Sequence, residues 1–153
     1  MLTLLLAMVV TGCSNDKEAP IEPKLSAKEM ADQMVKEVEQ PAQMELSAQE
    51  VKDIYNIDPE KLEEYAIRVP MMNVKTNEIA IIKVKDAEYV AEVEAAAKQR
   101  AENVMKQFEQ YLPDQYENAK NYKLITKGNY VLLVISDKAD ELVKVYDSFF
   151  EKK

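Results

Sequence analysis

Histidine and tryptophan are absent from this chain of 153 residues, glycine occurs twice and cysteine once. Each scarcity excludes something. Without histidine the chain lacks the commonest general base, the commonest zinc ligand and the side chain that titrates near neutrality. Its two glycines, Gly12 and Gly128, are too few for a phosphate-cradling loop. A lone cysteine forms no disulfide within the chain. Cationic excess is missing as well: 28 acidic against 20 basic residues leave a formal net charge of −8. Such a chain gains nothing from counterion release, so nucleic acid is not an expected partner. Anionic headgroups and wall polymers repel it too.

Long hydrophobic runs are also lacking. The apolar stretch from Leu2 to Val10 covers nine residues, well short of the roughly 20 that a spanning helix needs. Its length suits the core of a signal peptide, about 7–15 residues. Directly behind it comes Val10-Thr11-Gly12-Cys13. That arrangement resembles the lipobox of bacterial lipoproteins, in which the cysteine is acylated on sulfur and becomes the new N-terminus. The competing reading is an ordinary buried cysteine. Ser14, Asn15, Asp16, Lys17, Glu18, Pro20, Glu22 and Pro23 weigh against it, because they form a solvated tether and not a core border. Residues 1–12 are therefore expected to be a signal peptide, and 13–25 the lipidated Cys13 with its tether. A diacylglyceryl group would add two acyl chains (palmitate, for example), enough for stable anchoring at about 0.8 kcal/mol per CH₂. The basic residue expected near the start is missing, since Leu2 follows Met1 at once; a start further upstream would supply it.

Residues 26–153 are long enough for one domain with its own core. Ser26 with Glu29 and Ser47 with Glu50 have the spacing of capping boxes, each opening a short helix. Asp58-Pro59 reads as an N-cap and first-turn proline, starting a helix to about Glu64. The period then changes to two: Tyr65, Ile67, Val69 and Met71 alternate with Ala66, Arg68 and Pro70, and Pro70 favours a sheet edge. Glu78 to Lys85 reads as a second, antiparallel strand. Asp86 is placed to cap the longest helix, with Val90, Val93, Ala97, Ala101, Val104, Phe108 and Leu112 on one face, and Pro113 to end it.

Tyr122 to Lys127, Gly128-Asn129 and Tyr130 to Ile135 read as a β-hairpin with Gly128 at positive φ. Asp137 is placed to cap a last helix that turns Leu142, Val145, Tyr146 and Phe149 inward. The fold class expected is α+β: a four-stranded antiparallel sheet packed with helices. A strand–strand–helix unit occurs twice after short N-terminal helices. Tyr130 to Ile135 is apolar on both faces, so it belongs in the sheet interior. The long helices are expected on one face. The N-terminal helices, through Met30, Met34, Val35 and Ile54, are expected on the other.

No catalytic, cofactor or metal residue follows from this pattern. The carboxylate groups Glu60, Glu63 and Glu64, Asp86 and Glu88, and Asp137, Asp140 and Glu141 sit where acids favour a helix start. A glycosidase would need two of them converging across a cleft. Ser136 with Lys138 is a weak nucleophile–base pair and a simpler cap. Lys83, Lys85 and Lys127 are either a solvated strand face or an anion site. Eight tyrosines and eight methionines, Met71-Met72 among them, fit core edges first and an adaptable binding surface second.

Several separated segments resemble one family. They are Tyr55-Asn56-Ile57-Asp58-Pro59, Glu64-Tyr65-Ala66, and Met72-Asn73 followed by Glu78-Ile79-Ala80. To these add Phe108-Glu109-Gln110-Tyr111-Leu112-Pro113 with Tyr116, and Lys127-Gly128-Asn129-Tyr130-Val131-Leu132. Together, over about residues 26 to 152, they resemble the bacterial lipoprotein family catalogued as domain of unknown function 4358, common in Gram-positive anaerobes. The resemblance implies a lipoprotein on the outer face of the cytoplasmic membrane and assigns no catalytic residue. The function expected is a non-catalytic binding or interaction module of the cell envelope, with the membrane as partner through Cys13 and an envelope protein or glycan as a further partner. The alternatives are a carboxylate-dependent envelope enzyme, such as a glycan hydrolase, and a small-ligand capture protein for a transporter. No cofactor is expected.

Overall fold

A computed structural model describes residues 22–151. The expected signal peptide, Cys13 and most of the expected tether lie outside them. Five helices and five strands follow in chain order: α1 (Ala27–Glu37), β1 (Gln43–Glu45), α2 (Ala48–Tyr55), β2 (Leu62–Pro70), β3 (Glu78–Val84), α3 (Val90–Phe108), α4 (Pro113–Lys120), β4 (Lys123–Lys127), β5 (Tyr130–Ile135) and α5 (Ala139–Ser148). The strands make one sheet in the order β1-β2-β3-β5-β4, and every neighbouring pair is antiparallel.

Local chemistry accounts for much of this. Both capping boxes form: Ser26 and Ser47 accept from the backbone N–H of Glu29 and Glu50, whose carboxylates accept in return from the serine N–H at 2.8 and 2.7 Å. Gly128 adopts φ 56° in the two-residue turn between β4 and β5, at the first turn position where a type II′ hairpin needs it. All six residues of β5 are buried, as an interior strand with two covered faces requires.

The two faces have separate cores. On one side Ala80, Ile82, Val84, Val131, Leu133 and Ile135 pack under α3, with α2 adding Val51 and Tyr55. On the other Ile79, Ile81, Leu132 and Val134 pack under α1 and α5 through Met30, Met34, Leu142 and Tyr146. This corrects the expectation that the long helices share a face. Strands β3 and β5 are apolar on both sides, so each side needs its own cover, and α3 and α5 divide between them. Helix α1 docks as expected, whereas α2 packs on the α3 side and not beside α1, leaving Ile54 36% exposed.

Further corrections are local. The sheet has five strands, not four. The added one, β1, has three residues and no readable alternation; it exists because it pairs along β2. The edge position foreseen for β2 therefore falls to β1, and Pro70 is tolerated as the last residue of β2, opposite Gln43. The helix expected to reach Glu64 is a single 3-10 turn, Pro59–Lys61, after which the chain extends at Leu62. Asp86 makes no capping hydrogen bond, and a 3-10 turn over Ala87–Tyr89 precedes α3. Pro113 does not merely end a helix but begins α4, where its missing N–H costs nothing. Lys138, not Asp137, is the N-cap of α5 and makes no side-chain capping bond; the Ser136 Oγ accepts from the Lys138 N–H at 3.0 Å.

Candidate functional site

Burying a polar side chain costs free energy unless it is hydrogen-bonded, so buried polar groups mark places where something other than hydrophobic packing decides. Among the described residues these are Thr76, Asn77, Glu78, Gln115 and Ser136. All five lie at one end of the sheet. Glu78 opens β3 directly opposite Ile135, the last residue of β5; Thr76 and Asn77 lead into β3 and Ser136 leads out of β5. Gln115 is on the first turn of α4 and reaches the same end, its Oε1 accepting from the Thr76 N–H at 3.0 Å.

Glu78 is the deepest of them. Tyr55 donates its hydroxyl to Glu78 Oε1. Arg100 of α3 donates from Nε to Oε1 at 3.0 Å and from Nη2 to Oε2 at 2.7 Å. Burial works against the Arg100 charge, but Glu78 outweighs it and the pKa rises. Burial first, then the neighbouring Glu78 charge, holds the Tyr55 hydroxyl protonated well above the usual phenol range. The carboxylate is thus fully engaged, a clamp joining α2, β3 and α3.

Two concavities flank this clamp. One is a polar cleft of about 490 Å³ walled by residues from four parts of the chain: Gln40, Asn77, Gln115, Asn118, Asp137 and their neighbours. Asn77 Nδ2 reaches Gln40 Oε1 at 3.2 Å, Ser136 Oγ at 3.3 Å and Asp137 Oδ1 at 3.4 Å. The Ser136 hydroxyl also donates to Gln40 Oε1 at 3.1 Å. The second is a groove of about 280 Å³ between the β2–β3 connection and α3, walled by Met71, Met72, Val104 and Phe108 above Arg100 and Glu78. Met71 and Met72 are 65% and 62% exposed, and Tyr111 near the α3–α4 corner is 51% exposed. Leu112 holds φ 50° at that corner, a left-handed backbone that costs a non-glycine residue about 1 kcal/mol.

The residues singled out from sequence are dispersed. Glu63 pairs with Lys83 at 3.1 Å and Asp140 with Lys123 at 2.9 Å. Glu64 accepts from the Ala27 N–H at 3.0 Å, serving the start of α1 from across the sheet. Asp137 alone of the carboxylate groups enters the polar cluster. Lys83 and Lys127 do not form an anion site with Lys85: Lys127 pairs with Asp147 at 2.7 Å, and Lys83 carries both Glu63 and Glu22. Among the described residues every carboxylate whose pKa departs clearly from its ordinary value moves down, Glu29, Asp32, Glu50, Asp114 and Asp140, chiefly through hydrogen bonds from Ser26, Arg68, Ser47, Gln115 and Lys123 respectively. Among the described residues no three acidic groups come together as metal ligands.

Sequence reasoning missed Tyr55, Asn77, Glu78, Arg100 and Gln115 as a set. The available signal was weak: a glutamate opening a strand otherwise built from isoleucine and valine, and an arginine bordering the apolar stripe of α3.

A family model described as "Domain of unknown function (DUF4358)" matches residues 36–136, a span that contains β1 to β5, α2 to α4 and the walls of both concavities except Asp137 and Lys138. No curated protein and no solved structure matches the chain.

Proposed function

The chain belongs to the DUF4358 family, and on that premise we propose that it is a cell-envelope protein held to the outer face of the cytoplasmic membrane by acyl chains on Cys13. Its folded domain acts as a non-catalytic binding module. The observation that carries this reading is the polarity of the domain. Glu22, at the end of the tether, pairs with Lys83 at 3.2 Å. Lys83 faces Tyr130 in the sheet register, while Glu78 faces Ile135. At about 3.3 Å per residue, those two positions on β3 stand some 17 Å apart. The tether therefore meets the domain at one end, and the polar cleft and exposed methionines occupy the other.

From Cys13 to Glu22 the chain reaches at most about 30 Å. A chain of net charge −8 held by such a tether is repelled by anionic headgroups and presents the far end of its domain to the envelope. The carboxylates support binding over catalysis: Glu29, Asp32, Glu50, Asp114 and Asp140 are held as anions by hydrogen bonds, whereas a catalytic acid needs its proton held at higher pH.

A photo-crosslinking residue placed at Met72 or at Lys127 tests this in intact cells. Discrete higher-mass adducts are expected from position 72 and not from position 127. Equal labelling from both ends, or none from either, would overturn the reading.

A further inference from the structure

The polar cleft has a composition that selects among ligand classes. Its walls carry four amide side chains, Gln40, Asn77, Gln115 and Asn118, interleaved with three carboxylates and two lysines. Pro41 is the one apolar residue among those lining it. An apolar ligand would find Pro41 as its one hydrophobic side chain. An anion would meet Glu39, Asp114 and Asp137 against only Lys75 and Lys138. A bound metal ion would need a converging set of acids, which the described residues lack.

What the walls do offer is donors and acceptors side by side, since each amide presents both. That is the complement of a hydroxyl group, which also donates and accepts. Asn77 sharpens the point. It is 3% exposed, its Nδ2 is occupied by Gln40, Ser136 and Asp137, and its Oδ1 accepts no hydrogen bond among the described residues. That oxygen is not sealed from water, since the Tyr146 hydroxyl is the one buried side-chain polar atom without a partner among the described residues; it is an open acceptor at the cleft wall that a ligand hydroxyl can take up. Gln115, 5% exposed on the facing wall, is held in place by the Thr76 N–H. The volume, about 490 Å³, falls within the usual range for ligand sites, about 300–1,000 Å³.

From these observations we propose that the cleft bounded by Gln40, Asn77, Gln115, Asn118 and Asp137 binds an uncharged glycan segment of one or two sugar rings. This deepens the binding-module reading and rests on it. The sugar hydroxyls bridge the amides of the β2–β3 connection and α4, and Asp137 and Asn77 Oδ1 accept from them.

The test uses the full-length lipidated chain, ¹⁵N-labelled, in detergent micelles. The probes are diacetylchitobiose, cellobiose and maltose, with trialanine and inorganic phosphate as comparators. At least one sugar should move the side-chain amide resonances of Asn77, Gln115 and Asn118 along a saturating curve. Asn118 makes no side-chain hydrogen bond among the described residues, so Asn118→Ala should leave the spectrum folded and weaken that sugar about tenfold, some 1.4 kcal/mol. Gln99→Ala, on the exposed face of α3, should leave the affinity unchanged. Amide resonances that stay still for all three sugars up to about 20 mM, an affinity ceiling below biological use, overturn the proposal. So do shifts of equal size with trialanine or phosphate. If the sugars fail while the Met72 adducts persist, the glycan is wrong and the binding module stands; if both fail, the reading beneath it falls too.

Discussion

Arg100 and Glu78 meet side-on, with Nε and Nη2 of the guanidinium each donating to a carboxylate oxygen, at 3.0 and 2.7 Å. The glutamate side chain is 1% exposed and the arginine 20%, so the pair is withdrawn from water except along the guanidinium edge. Removing one partner strands the other. Glu78→Gln and Arg100→Met should each destabilise the fold by about 3 kcal/mol, while the double variant should lose clearly less than the sum. Urea midpoints of the four proteins check this, and additive losses would show that the two side chains do not couple.

Gly128 carries the β4–β5 hairpin at φ 56°. Gly128→Val places a β-branched side chain in a left-handed backbone and should cost more than about 1 kcal/mol. Asn129→Ser, at the second turn position, should cost less. A urea titration in which Gly128→Val and wild type share a midpoint would contradict this account of the turn.

Alkaline pH should find the tyrosines early among the causes of instability. Burial is the largest cause that raises the pKa of Tyr55, of Tyr146 and of Tyr130, the last to about 12 against the opposing pull of Lys83. In the unfolded chain these hydroxyls ionise near pH 10. The sign follows: their neutral forms contribute full stability below pH 10, and that contribution is lost as pH rises toward the folded values. Unfolding free energy should therefore fall between about pH 10 and 12. Ring-carbon resonances of ¹³C-labelled Tyr55, Tyr130 and Tyr146 in the folded protein should stay in the phenol form through pH 10. Ionisation of all three at or below pH 10 would refute the assignment.

Acylation of Cys13 is the chemical premise of the envelope location. Cells producing the protein should incorporate labelled palmitate into it, and Cys13→Ala should abolish the label. Incorporation that survives the substitution would end the lipoprotein reading.

Adjacent residues alone determined a good part of this protein. Ser26 with Glu29, Ser47 with Glu50, and Gly128 between two apolar strands each act within a few residues, so their hydrogen bonds and backbone angles are written locally. The doubly apolar strand β5 likewise announced a sheet interior with two covered faces. The family segments were legible too, since they are runs of sequence. What tertiary structure decided is whatever needs a partner far along the chain. Strand β1 is a strand because β2 lies beside it, and the Gln115 side chain is fixed at the start of α4 because Thr76 reaches it from far along the chain. Arg100 becomes a clamp only when α3 lies over the start of β3, which sequence periodicity permits but does not specify. The cleft is the extreme case. Gln40, Asn77, Gln115 and Asp137 come from four separate segments, each polar and unremarkable alone, and become a site because antiparallel pairing brings the start of β3 and the end of β5 together. Hydrogen bonds between neighbours are a property of the sequence; a cavity is a property of the packing.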